Sequence, residues 1–183
     1  MVARIGGAPP PAAPIYAVQD AFADLFEGNE RYAAIEHEVA ASGVARRGLA
    51  IVTCIDSRID PLAVFGLAQG DAKILRNAGA RVTDDVLRTL VVAAHLLDVD
   101  RVLLVPHTRC RMATVSPDEL HEAIRERSGL DTRSLDLRPV TDARQALRED
   151  LRRVRSWPFL PPGISVTGAI YDVDTGALEQ VDG

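Results

Sequence analysis

Five side chains in this sequence have the types and spacing to do chemistry on a small molecule: Cys54, Asp56, Arg58, His107 and Cys110. Two thiolates and one imidazole suit a tetrahedral zinc. Three protein ligands leave one coordination position open, which marks a catalytic rather than a structural site. The His107-x-x-Cys110 spacing lets one turn present two ligands to one ion, so a third must arrive from a neighbouring strand. Taken singly, the residues have plainer readings. A buried cysteine is most often a small hydrophobe, and a histidine at a strand end is most often a hydrogen-bonded loop residue. The segment Cys54-Ile-Asp-Ser-Arg58 adds context. A carboxylate beside a metal competes for the open position, whereas a guanidinium offers it a bidentate partner. Asp56 held by Arg58 would keep the fourth position free for water and accept a hydrogen bond from it. A surface Asp–Arg pair, worth little, is the alternative.

The elements around these residues gather them at one end of a sheet. Gly48 to Cys54 is short, apolar and β-branched, the signature of a strand buried on both faces. Asp71 to Arg76 and Arg101 to His107 read as further strands, with a short helix over Pro61 to Leu67. Thr83 caps a helix whose apolar stripe is Val86, Leu87, Leu90, Val91, Ala94 and Leu97. Ser116-Pro117-Asp118-Glu119 opens another helix, and Asp142 to Val154 is a third, highly charged one. Trp157 to Gly163 is a proline-rich loop, followed by strands over Ile164 to Tyr171 and Ala177 to Val181 around the turn Asp172 to Gly176. This alternation predicts an α/β fold with a mostly parallel sheet and a terminal hairpin. Ligands in such sheets sit at the carboxyl ends of the strands, where Cys54 and His107 fall. Near the start, Met1 to Pro14 reads as an extended, poorly ordered lead-in. Val18 to about Ala41 has helical spacing, and Gly28-Asn29 is expected to break it in two. An arm packing on a partner subunit and a plain surface helix fit that segment equally well.

Cys54-x-Asp56-x-Arg58 followed by His107-x-x-Cys110 resembles the β-class carbonic anhydrases. Gln69-Gly70-Asp71, Leu75 to Gly79 and Arg81 to Asp85 continue the resemblance between the motifs, and Gly28-Asn29 to Tyr32 resembles the family's N-terminal helical motif. The likeness covers Gly48 to Met112 and is expected to extend through the hairpin. The length and the run Arg76 to Asp85 resemble the small subclass of archaea and actinobacteria. The resemblance implies a parallel-core sheet with an added antiparallel C-terminal strand, flanked by helices, with an N-terminal helical arm. It implies a homodimer, or a dimer of dimers, with sites near the subunit interface. Cys54, His107 and Cys110 would hold zinc, and Asp56 and Arg58 would form the dyad that gates the fourth ligand. Ala78, Gly79 and Arg111 are expected to line the substrate pocket. The activity would be reversible hydration of carbon dioxide to bicarbonate and a proton by zinc-bound hydroxide.

Arg111 departs from the pattern, because the family usually carries glycine directly after the second cysteine. Arg111 would be strained if the loop needs a positive φ there, and its charge would tend to hold bicarbonate or another anion. Two alternatives share the site: hydrolysis of carbonyl sulfide or carbon disulfide, and a zinc-binding, non-enzymatic anion-binding or interaction module. The sequence names no proton relay; His95 and His121 lie on predicted helices and read more simply as packed or solvated.

Composition fits these readings. The chain has 183 residues, 47% of them hydrophobic and 26% charged, which is globular composition for a single domain spanning 1–183. The net charge of -5 disfavours nucleic acid and acidic membrane surfaces as partners. No apolar run approaches the ~20 residues of a membrane span. The opening residues lack the apolar core of a secretory signal, so a cytoplasmic location is expected. Two cysteines exclude a disulfide-rich scaffold.

Overall fold

The computed structural model describes residues 21–35, 43–113 and 115–181. β1, Leu49–Cys54, is buried at every position but its first, as a uniformly apolar strand at the centre of a sheet must be. It pairs in parallel with β2, Ala72–Asn77, on one side and with β3, Arg101–Val105, on the other. β4, Ser165–Tyr171, adds in parallel to β3, and β5, Leu178–Val181, adds antiparallel to β4. The sheet order is β2-β1-β3-β4-β5. The expected parallel core with its antiparallel C-terminal strand is therefore the observed one.

One face of this sheet is covered by two helices. α3, Asp84–Leu96, contributes Val86, Leu87, Leu90 and Ala93 to the core. α5, Ala143–Arg155, contributes Leu147, Leu151 and Val154. They meet Ala50 and Val52 of β1 and Val102 and Leu104 of β3, which share a face because the register pairs Ala50 with Val102 and Val52 with Leu104. Gly168 of β4 lies in register with Leu104, and a Cβ there would stand 3.0 Å from the Leu147 side chain, so a larger residue would have to displace Leu147 of α5 by a few tenths of an ångström. The helix starts follow from local chemistry. The Thr83 side chain accepts from Val86 N, and Asp142 accepts from Arg144 N and Gln145 N. α4, Pro117–Ser128, opens on a full capping box of Ser116 and Glu119 and ends on left-handed Gly129. α2, Pro61–Val64, is a single turn capped by Asp60. It ends short of the expected Leu67.

β3 also ends earlier than expected, at Val105, because Pro106 has no N–H to give the ladder. His107 rejoins the sheet through an isolated bridge with Tyr171.

α1, Ala23–Ile35, belongs to a compact unit separate from the sheet. It runs unbroken through Gly28 and Asn29, against the expected break. Glycine permits positive φ without requiring it, and one glycine costs a helix only about 1 kcal/mol. Phe22, Leu25 and Phe26, at and just before its first turn, are 59–70% exposed. The expected lead-in over 1–14 and the outer ends of the helical segment, 18–20 and 36–41, lie outside the described residues. Among the described residues, no helix is long and apolar enough to cross a membrane.

Candidate metal centre

The carboxyl ends of β1 and β3 bring the three predicted donors together. Cys54 is the last residue of β1, and His107 and Cys110 follow β3. One donor atom from each lies within 4.8 Å of the others, and all three residues are buried. The two sulfurs are 3.9 Å apart and not bonded. Two sulfurs each ~2.3 Å from a tetrahedral zinc stand about 3.8 Å apart, so the spacing fits the ion.

His107 is aimed by its own backbone neighbour. Its Nδ1 lies 2.9 Å from the Thr108 carbonyl oxygen, which can only accept, so Nδ1 carries the proton. That leaves the lone pair on Nε2, which is buried without a hydrogen-bond partner. An orphaned buried acceptor facing two sulfurs is costly unless a cation uses it. Thr108 is itself fixed to β4 and the hairpin turn. Its N–H donates to the Tyr171 carbonyl, and its hydroxyl accepts from Val173 N. Such support of a ligand's second nitrogen sets ring orientation and basicity.

The two thiols bias one another. The Cys110 thiol's hydrogen bond, against the pull of burial and aided by the Gly79 N–H, lowers the Cys54 thiol well below its ordinary value. The same hydrogen bond, together with burial, pushes the Cys110 thiol up, and two buried thiolates side by side would repel. A divalent cation between them removes that repulsion and lets both ionise. Gly79 reaches Cys54 Sγ with its N–H at 3.4 Å and holds φ at 80°. It sits in the 3-10 turn Ala78–Ala80 that follows β2. Asn77 closes that turn by donating to the Arg81 carbonyl and accepting from Arg81 N. Arg81 pairs at 2.7 Å with Asp150 of α5, a buried carboxylate that also accepts from Val82 N.

Asp56 and Arg58 form a two-point pair. Arg58 Nε donates to Oδ1 at 2.9 Å, and a terminal guanidinium nitrogen donates to Oδ2 at 2.7 Å. This guanidinium holds the Asp56 carboxyl well below the usual carboxylate range. Oδ2 is 3.7 Å from His107 Nε2, so the carboxylate borders the donor cluster while bound to Arg58. Arg76 of β2 braces the loop beneath, donating to the carbonyls of Cys54 at 2.8 Å and Asp56 at 2.7 Å.

An open cleft of about 680 Å³ gives access to the cluster, and Ala78, Arg109 and Arg111 share its wall with Cys54, Asp56 and Cys110. Gly79 is buried behind Cys54. The expected strain at Arg111 does not arise. The positive φ of this loop falls at Arg109, at 54°, and Arg111 opens the 3-10 turn Arg111–Ala113. Arg109 pairs with Asp174 in the hairpin turn. His95 and His121 lie elsewhere, hydrogen-bonded to the Phe159 carbonyl and the Thr132 hydroxyl. Motif reading missed Arg76, Thr108 and the Arg81–Asp150 pair. Arg76 lay inside a quoted run, but nothing in its spacing announces a clamp on two carbonyls.

A mostly parallel α/β sheet with a buried Cys₂His cluster at the carboxyl ends of its strands defines a class of α/β protein whose site could hold a metal ion. The profile of the carbonic anhydrase family matches residues 49–157. β-carbonic anhydrase 1 of Mycobacterium tuberculosis is 39% identical over 134 residues, covering 73% of this chain and 81% of its own. The crystal structure of a carbonic anhydrase from Streptococcus mutans superposes with a TM-score of 0.82 at 37% identity, over 88% of this chain and 97% of that one. A carbon disulfide hydrolase of Acidithiobacillus thiooxidans is 26% identical over 174 residues, covering 84% of this chain and 85% of its own. The chain belongs to the β-carbonic anhydrase family.

Proposed function

We propose that this protein is a zinc enzyme that reversibly hydrates carbon dioxide to bicarbonate and a proton. The observation that carries the reading is the orphaned His107 Nε2 facing two unbonded sulfurs 3.9 Å apart, beside a carboxylate kept ionised by Arg58. Cys54, His107 and Cys110 would hold the metal. When bound, zinc lowers the pKa of a water to about 7 and polarises the substrate as a Lewis acid.

The chain's own residues prepare the rest. The Thr108 carbonyl fixes the imidazole tautomer, and the Gly79 N–H steadies the Cys54 thiolate. Arg58 keeps Asp56 ionised and turned to itself, so the carboxylate can accept a hydrogen bond from the attacking oxygen and orient it without taking its place. Arg76 fixes the carbonyls on either side of Ile55, which holds the Cys54–Asp56 geometry rigid. The open cleft lets carbon dioxide in and gives the released proton a route to solvent. A cytoplasmic homodimer is the setting proposed for the enzyme. Two unpaired thiols suit a reducing compartment, and the exposed apolar residues of the α1 segment suit burial against a second copy.

The carbon disulfide hydrolase relative gives the same site a second candidate substrate. Turnover of zinc-loaded protein on carbon dioxide, carbonyl sulfide and carbon disulfide, compared at equal concentrations, separates them. Hydration of carbon dioxide orders of magnitude faster than hydrogen sulfide release is the expected result. The reverse order overturns the reading.

A further inference from the structure

The charges around the cleft pair off with one exception. Two thiolates at Cys54 and Cys110 balance a divalent cation. Asp56 is matched by Arg58, and Arg109 is matched by Asp174 in the hairpin turn. Arg111 lines the same cleft, is exposed, and makes no hydrogen bond or ion pair with any described residue. Its backbone is unstrained, since the loop's positive φ is taken by Arg109. An unengaged guanidinium therefore stands in the wall of the cleft that opens on the donor cluster.

We propose that Arg111 is an anion-holding residue of the cleft. It binds the bicarbonate product, and monovalent anions that compete with it, without contributing to the capture of carbon dioxide. The proposal rests on the hydration reading for the identity of its anion. A planar guanidinium offers two parallel N–H donors to a carboxylate-like oxyanion. Carbon dioxide carries no charge and feels no such attraction. Arg111 thus acts on one side of the reaction only. The overall equilibrium fixes the ratio of kcat/KM in the two directions. A residue that stabilises bound bicarbonate alone must therefore lower KM and kcat for bicarbonate together, leaving both kcat/KM values unchanged.

The test compares zinc-loaded wild type with Arg111→Gln, Arg111→Lys and, as a control for net charge, Arg127→Gln on the exposed face of α4. Calorimetric titration with bicarbonate and with thiocyanate reads affinity without turnover. Steady-state kinetics in both directions reads the KM and kcat split, and thermal midpoints confirm equal folding. Arg111→Gln is expected to weaken both anions about two- to fivefold, the range of a solvent-exposed ion pair. KM and kcat for bicarbonate should rise in proportion, with kcat/KM for carbon dioxide unchanged. Arg111→Lys should fall between, Arg127→Gln should match wild type, and added salt should shrink the difference. Equal anion affinity in wild type and Arg111→Gln, or a fall in kcat/KM for carbon dioxide in Arg111→Gln, overturns the proposal. Absence of turnover in all variants, with anion affinity still lowered in Arg111→Gln, refutes the hydration reading and upholds the anion site.

Discussion

Arg58 pairs with Asp56 rather than with any of the three donor side chains. Its two hydrogen bonds decide where the Asp56 carboxylate points. Replacing it with methionine removes that hold and leaves the ligands in place. Arg58→Met should keep its zinc yet lose roughly 10–100-fold in hydration rate, the usual effect of losing such a supporting partner. Metal analysis beside stopped-flow rates checks this, and full activity would show that Asp56 needs no partner. The donor residues were legible in sequence because chemistry restricts them: few residue types bind zinc, and His107-x-x-Cys110 is a short, local signal. The backbone roles of Arg109 and Arg111 were not. Which of three neighbouring loop residues takes the positive φ depends on how the loop closes against the hairpin, and Asp174, Arg109's partner, is 65 residues away.

At the scale of elements, the same contrast holds between local and distant causes. β1 and β3 announced themselves by uniform apolarity, and the caps of α3 and α4 by Thr83 and by Ser116 with Glu119. The unbroken α1 was misread, because glycine and asparagine permit a break that nothing in this helix demands. The Arg81–Asp150 pair left no trace in sequence, its members standing 69 residues apart. It ties α5 to the segment after the Gly79 turn. Arg81→Met strands the buried Asp150 carboxylate and should destabilise the fold by about 3 kcal/mol, measured by urea unfolding. A loss under 1 kcal/mol would mean that the Val82 N–H alone satisfies it. Gly79→Ala forces a side chain into φ 80° against Met112 and should cost about 1–2 kcal/mol. At the start of β2, Asp71 accepts from Ala68 N and Arg46, which hold its carboxyl below its usual value. A folded value below the unfolded ~3.9 stabilises the fold above that pH, and the stabilisation fades as pH falls through the folded value. The thermal midpoint of Asp71→Asn should therefore trail wild type at pH 7, with the gap narrowing as pH falls below about 4. A gap as wide at pH 3 as at pH 7 would assign the effect to neutral hydrogen bonds.

For the whole molecule, the sheet explains why the site is where it is: every donor and supporting loop lies at the carboxyl ends of parallel strands. The exposed Phe22, Leu25 and Phe26 carry the assembly prediction. Light scattering should find a homodimer or larger, and Phe22→Ser with Phe26→Ser should shift it toward monomer at micromolar concentration. An unchanged mass would place the subunit contact elsewhere. On the hydration reading, Cys54, His107 and Cys110 hold one zinc that turnover requires. Stopped-flow hydration of wild type and Cys110→Ser, each with its zinc content measured on the same sample, tests it most directly. One zinc per chain is expected, with rapid turnover that rises from neutral to alkaline pH, and with both metal and activity lost in the serine variant. Rapid hydration by zinc-free protein, or full activity in Cys110→Ser, would contradict it.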